Sequence, residues 1–93
     1  MLVRRGSATA GQVLIKLNTL LPRGEAGCIV YVQSYDWDGN RAWRAGTGST
    51  LVLEEDADQY IQRTVKFDPD VWVLEIEDRD GRHFLEPVIK EDS

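Results

Sequence analysis

The residue types most suited to chemistry fall in two short segments. Asp36-Trp37-Asp38-Gly39-Asn40 opens with the acid–x–acid–Gly order of a calcium loop, in which carboxylates and amides surround a hard cation with about six to eight oxygens. Asp36, Asp38 and Asn40 would be its ligands. The closing carboxylate of such a loop falls at position 47, where Thr47 stands instead, so the segment is not an EF-hand. Asp78-Arg79-Asp80-Gly81 repeats the opening, but Arg79 and Arg82 occupy places where further ligands would be needed. A third cluster is aromatic and basic. Trp37, Arg41, Trp43 and Arg44 lie within eight positions, and Arg41 and Trp43 share one face of an extended strand. Aromatics beside arginine stack on rings or anchor protein interfaces.

Covalent and acid–base chemistry find little support. Cys28 opens an apolar run and reads as a buried, inert thiol, and the single histidine, His83, beside the Asp80 turn, reads as a surface or half-buried side chain and not a general base. Gly46-Thr47-Gly48-Ser49 lacks the lysine of a phosphate-cradling loop and reads as a turn. One cysteine excludes an intramolecular disulfide, and one histidine excludes a multi-histidine metal site. Sixteen acids against eleven bases give the 93-residue chain a net charge of −5, which argues against general capture of nucleic acid or anionic lipid. The opening Met1-Leu2-Val3-Arg4-Arg5 is charged, yet Gly11-Gln12, Lys16 and Asn18 interrupt the apolar run a secretory signal requires. No stretch approaches the ~20 apolar residues of a membrane span. The expectation is a cytoplasmic protein with a lone reduced thiol and no cofactor.

The elements that position these residues read as strands. Cys28–Tyr35 alternates, with Cys28, Val30 and Val32 inward, and residues 41–45 follow with Trp43 inward. Residues 50–54 form a short strand, and 60–67 alternate with Ile61, Val65 and Phe67 on one face. Residues 71–77 and 82–86 flank the Asp80-Gly81 turn as a hairpin, and Pro87 marks an edge. Residues 9–21 admit two readings. Val13, Ile15 and Leu17 fit period two; Val13, Leu14, Leu17, Leu20 and Leu21 fit a helical stripe.

Even spacing of about seven short strands predicts an all-β domain over residues 1–93, a small antiparallel sandwich or barrel of immunoglobulin-like size without the Cys…Trp…Cys signature. Residues 1–10 and 90–93 read as flexible ends. The alternative is an α+β domain with an N-terminal helix at about 9–21 on a six-stranded antiparallel sheet. With antiparallel strands, the turns at 36–40, 54–58 and 78–81 share one end. That end would gather Asp36, Asp38, Glu54, Glu55, Asp56, Asp58, Asp78 and Asp80, half of the sixteen acids. The functional expectation is a small acidic, non-catalytic binding module whose partner is another protein or a second copy. It would be met through the acidic end, an edge strand such as 82–89, or the Trp37/Trp43 region. The alternative is a calcium-dependent or catalytic domain built on the acidic turns.

Overall fold

A computed structural model describes residues 1–8 and 11–85. Among these, the strands are β1 (Leu2–Arg4), β2 (Val13–Asn18), β3 (Cys28–Tyr35), β4 (Arg41–Ala45) and β5 (Trp72–Glu77), with one helix, α1 (Glu54–Phe67), between β4 and β5. They make a single open sheet in the order β1-β5-β2-β3-β4. Strand β2 runs parallel to β5, with Val13 beside Trp72 and Asn18 beside Glu77. The other neighbours are antiparallel.

Both faces of the sheet are covered. On one, Leu14, Cys28, Val30, Val32, Val71 and Val73 pack with Ala57 and Ile61 of α1. On the other, Ile15, Leu17, Ile29 and Tyr31 are buried with Trp43, Leu74, Ile76 and Leu85 against them. That face is closed partly by the chain after β5: the His83 ring meets Tyr31 edge-on, with centroids 5.2 Å apart. Two-sided burial explains why β2 and β3 carry apolar residues at consecutive positions instead of a clean alternation.

The seven-stranded antiparallel sandwich or barrel is therefore not the fold; the chain is α+β with a mixed sheet. The alternative reading has the right class, but its helix lies elsewhere, because residues 13–18 are strand and 54–67 are helix. Segment 60–67, expected as a strand, winds into α1 because Ala57, Ile61 and Val65 recur every four residues and meet the sheet together. Glu54, Glu55 and Asp56 in its first turn and Lys66 in its last suit the helix dipole. Phe67, placed inward by the strand reading, is 89% exposed. Only Val52 of the expected strand at 50–54 pairs, through a bridge to Cys28.

The hairpin expected across Asp80-Gly81 also does not form: residues 82–85 are not strand. Phe84 adopts a left-handed φ of 59°, incompatible with an extended strand, while Leu85 joins the apolar cluster under the sheet. Residues 86–89 of that expected edge strand, and the expected loose end at 90–93, lie outside the described residues. At the other terminus, Leu2–Arg4, read as part of a loose end, pair with β5 as β1.

Candidate functional site

The β3–β4 connection is a tight turn built by one side chain. Asp36 Oδ1 accepts hydrogen bonds from the amides of Asp38 and Asn40, both at 2.9 Å. The Asp36 amide donates to the Asn40 carbonyl at 2.8 Å, and the Gly39 amide donates to the Asp36 carbonyl at 3.0 Å. Gly39 takes a φ of 83°, which a residue with a Cβ adopts only at a cost. Four bonds thus fix a short loop whose next side chain, Trp37, is 101% exposed. Tyr35 before it is 66% exposed. Arg41 is exposed at the start of β4, and Trp43 is half-buried over the Ile15–Tyr31 cluster. Between them lies a surface cleft of about 550 Å³ lined by Gly11, Gln12, Gln33, Tyr35, Arg41 and Trp43.

The second acid–x–acid–Gly segment folds into the same turn. Asp78 Oδ1 accepts from the Asp80 amide at 3.0 Å, the Gly81 amide donates to the Asp78 carbonyl at 3.0 Å, and Gly81 has a φ of 74°. Arg82 Nε donates to Asp78 Oδ2 at 2.7 Å. Arg82, with the Asp80 amide, holds the Asp78 carboxyl below its ordinary range. In both turns the first carboxylate is engaged by the protein itself, as an Asx-type stop for the strand before it. Among the described residues, no group of three or more His, Cys, Asp and Glu is arranged to hold a metal ion.

The acids do not gather at one end. Strands β2 and β5 finish together beside the start of β3, so Asp78 and Asp80 lie near Asn18 and Cys28. Asp56 and Asp58 sit in the first turns of α1 at that same end, next to the Cys28–Val52 bridge. Asp36 and Asp38 cap the far end of β3. The expected strand at 50–54 does not cross the sheet, and the loss of that one crossing moves every later turn to the other end and leaves β5 parallel to β2. Trp37, Arg41 and Trp43 are brought to one corner, with Asp36, Asp38 and Asn40 forming its tip.

The opposite end holds a buried charge cluster that the sequence did not announce. Lys16 of β2 is 5% exposed. Its Nζ donates to Glu54 Oε2 and Asp58 Oδ1, each at 2.8 Å, with Glu75 Oε1 at 3.9 Å. Burial favours the neutral amine, but the bonds from Asp58 and Glu54 and the charge of Glu75 outweigh it and hold the lysine pKa above its ordinary value. Asn18 adds bonds to Glu54 and Glu75. A cavity of about 350 Å³ lies alongside, lined by Asn18, Arg23, Glu25, Cys28, Glu54 and Asp58 among others. Burial pushes the Cys28 thiol upward, against the opposing charge of Lys16. A lysine whose pKa is raised makes a poor base, and a thiol whose pKa is raised makes a poor nucleophile. The sequence signal was Lys16 itself, a single base within Val13–Leu17; Tyr35, exposed beside Trp37, is the other residue that sequence reasoning left out of the site.

Comparison with known proteins places the chain in a defined group. Residues 1–86 match the profile of a family described as Protein of unknown function (DUF1491). A crystal structure of a DUF1491 family protein from Caulobacter crescentus CB15 is 41% identical, with a TM-score of 0.78 over 96% of this chain and 79% of that one. An NMR structure of a DUF1491 family protein from the same organism gives 41% identity and a TM-score of 0.73, over 97% and 78% of the two chains. No curated protein matches.

Proposed function

We propose that this chain, which belongs to the DUF1491 family, is a non-catalytic binding module that meets another protein through its β3–β4 corner. The observation that carries the reading is Trp37. A tryptophan wholly exposed to water loses favourable burial, yet it stands on a loop whose backbone is fixed by four hydrogen bonds. Rigid presentation of large aromatics is what an interface anchor requires, because little conformational entropy remains to be lost on binding. Tyr35, Arg41 and Trp43 extend the same surface with the residue types enriched in interface hot spots.

The chemistry-bearing groups elsewhere support binding over catalysis. Lys16 and Cys28 both have raised pKa values, which disfavour a free amine and a thiolate, and the Asp36 and Asp78 carboxylates are engaged in their turns. Among the described residues, no helix is long and apolar enough to cross a membrane. We assign the encounter to the cytoplasm, whose reducing conditions suit a lone thiol.

Site-specific photocrosslinking tests the reading. A benzoylphenylalanine placed at position 37 of the full chain, in extract of its source cells, should yield a discrete adduct absent from a control at exposed Gln62. Asp36→Ala, which leaves two amides without their acceptor, should lower that yield several-fold. Equal, diffuse labelling at positions 37 and 62 would overturn the proposal.

A further inference from the structure

Several segments of the chain end in the same device, a side chain that accepts a hydrogen bond from the amide two residues on. Asn18 Oδ1 takes the Leu20 amide at 2.8 Å, and Asp36 Oδ1 takes the Asp38 amide at 2.9 Å. Asp68 Oδ1 takes the Asp70 amide at 3.2 Å, and Asp78 Oδ1 takes the Asp80 amide at 3.0 Å. The device recurs after β5 with a different acceptor: His83 Nδ1 takes the Leu85 amide at 2.9 Å. Amide and carboxylate oxygens keep accepting at neutral pH and in mild acid. An imidazole that accepts at Nδ1 is the neutral ring with its proton on Nε2, and a second proton turns that acceptor into a donor.

The bond spans a residue folded against its preference. Phe84, between the two partners, has a left-handed φ of 59°, which a bulky side chain keeps only where its surroundings impose it. The bend sets Leu85 against the Ile15–Tyr31 cluster and lays the half-buried His83 ring edge-on to Tyr31. A surface cleft of about 620 Å³ runs along Gly81–Leu85, so water reaches the segment. Among the described residues, β2 and β5 bring only apolar side chains to this cluster. Strand β3 brings Tyr31, whose hydroxyl burial pushes up and so keeps neutral. The charged groups belong to the turn itself: Arg82 bonds Asp78 Oδ2 at 2.7 Å and stands 3.8 Å from Asp80 Oδ2. Asp78 is held below the ordinary carboxylate range, so its bond to Arg82 persists in mild acid as the fixed side of a hinge. We propose that His83 is a proton-operated latch: the neutral ring pins Leu85 over the sheet face, and the protonated ring releases residues 83–85 and uncovers Tyr31. Imidazole changes charge between about pH 5 and 8, which places the switch within physiological reach. The inference is independent of the β3–β4 corner.

An NMR titration of the uniformly labelled full chain from about pH 8 to 5 tests it. His83 is the single histidine, so the imidazole nitrogen signals report its protonation alone. With the same midpoint, NOEs from the Leu85 methyls to Ile15, Leu17, Ile29 and Tyr31 should fall to less than half, and the Leu85 amide proton should move upfield. The Arg82 Nε–H signal should hold its position. His83→Asn supplies an oxygen that accepts from position 85, as Asn18 does for Leu20, and takes up no proton; its Leu85 NOEs should stay constant over the interval. Ring protonation with undiminished Leu85 NOEs in the wild type would overturn the inference, as would a His83→Asn chain that loses them with the wild-type midpoint. The wild-type series decides by itself if the variant does not fold.

Discussion

Lys16 shows how one side chain joins two elements that the chain separates by nearly forty residues. It sits in β2 opposite Val30 and beside Glu75, on the face that α1 covers. A buried ammonium is tolerated only with partners, and three carboxylates supply them. Glu54 and Asp58 remain more than half exposed and rehydrate easily, whereas Glu75, 12% exposed, does not. Lys16→Ala should therefore cost about 3 kcal/mol, the low end for breaking a buried pair, and Lys16→Met about half of that because its stem still fills the space. Denaturant unfolding checks both values; a loss under about 0.5 kcal/mol in Lys16→Ala would contradict the account. The pH dependence has a definite sign. A pKa raised by folding means stability that is fully present below the ordinary lysine value of 10.5 and fades as pH climbs through the folded value. The wild type should lose more stability above pH 10.5 than Lys16→Met, measured in the same denaturant series. Reading the sequence picks out Lys16 as an interruption of an apolar run, but not its partners, since two of them come from a helix whose period was mistaken.

Helix α1 makes the lesson concrete at the level of elements. Ile61 and Val65 satisfy period two and period 3.6 alike, and with Phe67 they read as one face of a strand. Ala57, four residues before Ile61 and completely buried, is the residue that resolves it, because four-residue spacing has no place on a strand face. The same two mutations separate the alternatives in solution. Ile61→Ala should cost about 2–4 kcal/mol through the cavity it leaves. Phe67→Ala should stay within about 0.5 kcal/mol, as an exposed position does. Comparable losses at both would favour the strand. Elements bounded by strong turn chemistry were legible: Cys28–Tyr35, Arg41–Ala45 and Trp72–Glu77 emerge where alternation meets Asp-Gly or Pro punctuation. The failure at 82–85 has a different origin. Arg82 turns back onto Asp78 and Phe84 leaves extended space, both tertiary outcomes that no local propensity encodes.

At the scale of the whole molecule, order within the sheet is not order along the chain. Strands β5 and β2 lie at the centre with partners on both sides, while β1 and β4 have one described neighbour each. Amides of Ile15, Leu17 and Val73 should exchange with solvent only through global unfolding, and those of Leu2, Arg41 and Trp43 several orders of magnitude faster. Exchange measured by NMR at neutral pH decides this, and equal protection of edge and centre would count against the described topology. The parallel β2–β5 pairing itself was out of reach of sequence reading. Nothing in Val13–Asn18 or Trp72–Glu77 specifies direction, and only the intervening helix makes a crossover possible. The placement of the acids failed with it, which is why Asp36 and Asp38 stand apart from the other six.

That central position of β5 bears on how the protein is made. Synthesis delivers β1 and β2 first, but the strand that lies between them is complete only once Glu77 has been added. Until then β2 presents an unmatched backbone edge, and the face of β2–β3 that α1 does not cover lacks the apolar side chains of β5, a combination that aggregates or recruits holding chaperones. Folding cannot proceed vectorially, one segment settling as it emerges. A translation product cut short before Trp72 lacks the strand that joins β1 to β2, so it should be cleaved by protease far faster than the full chain.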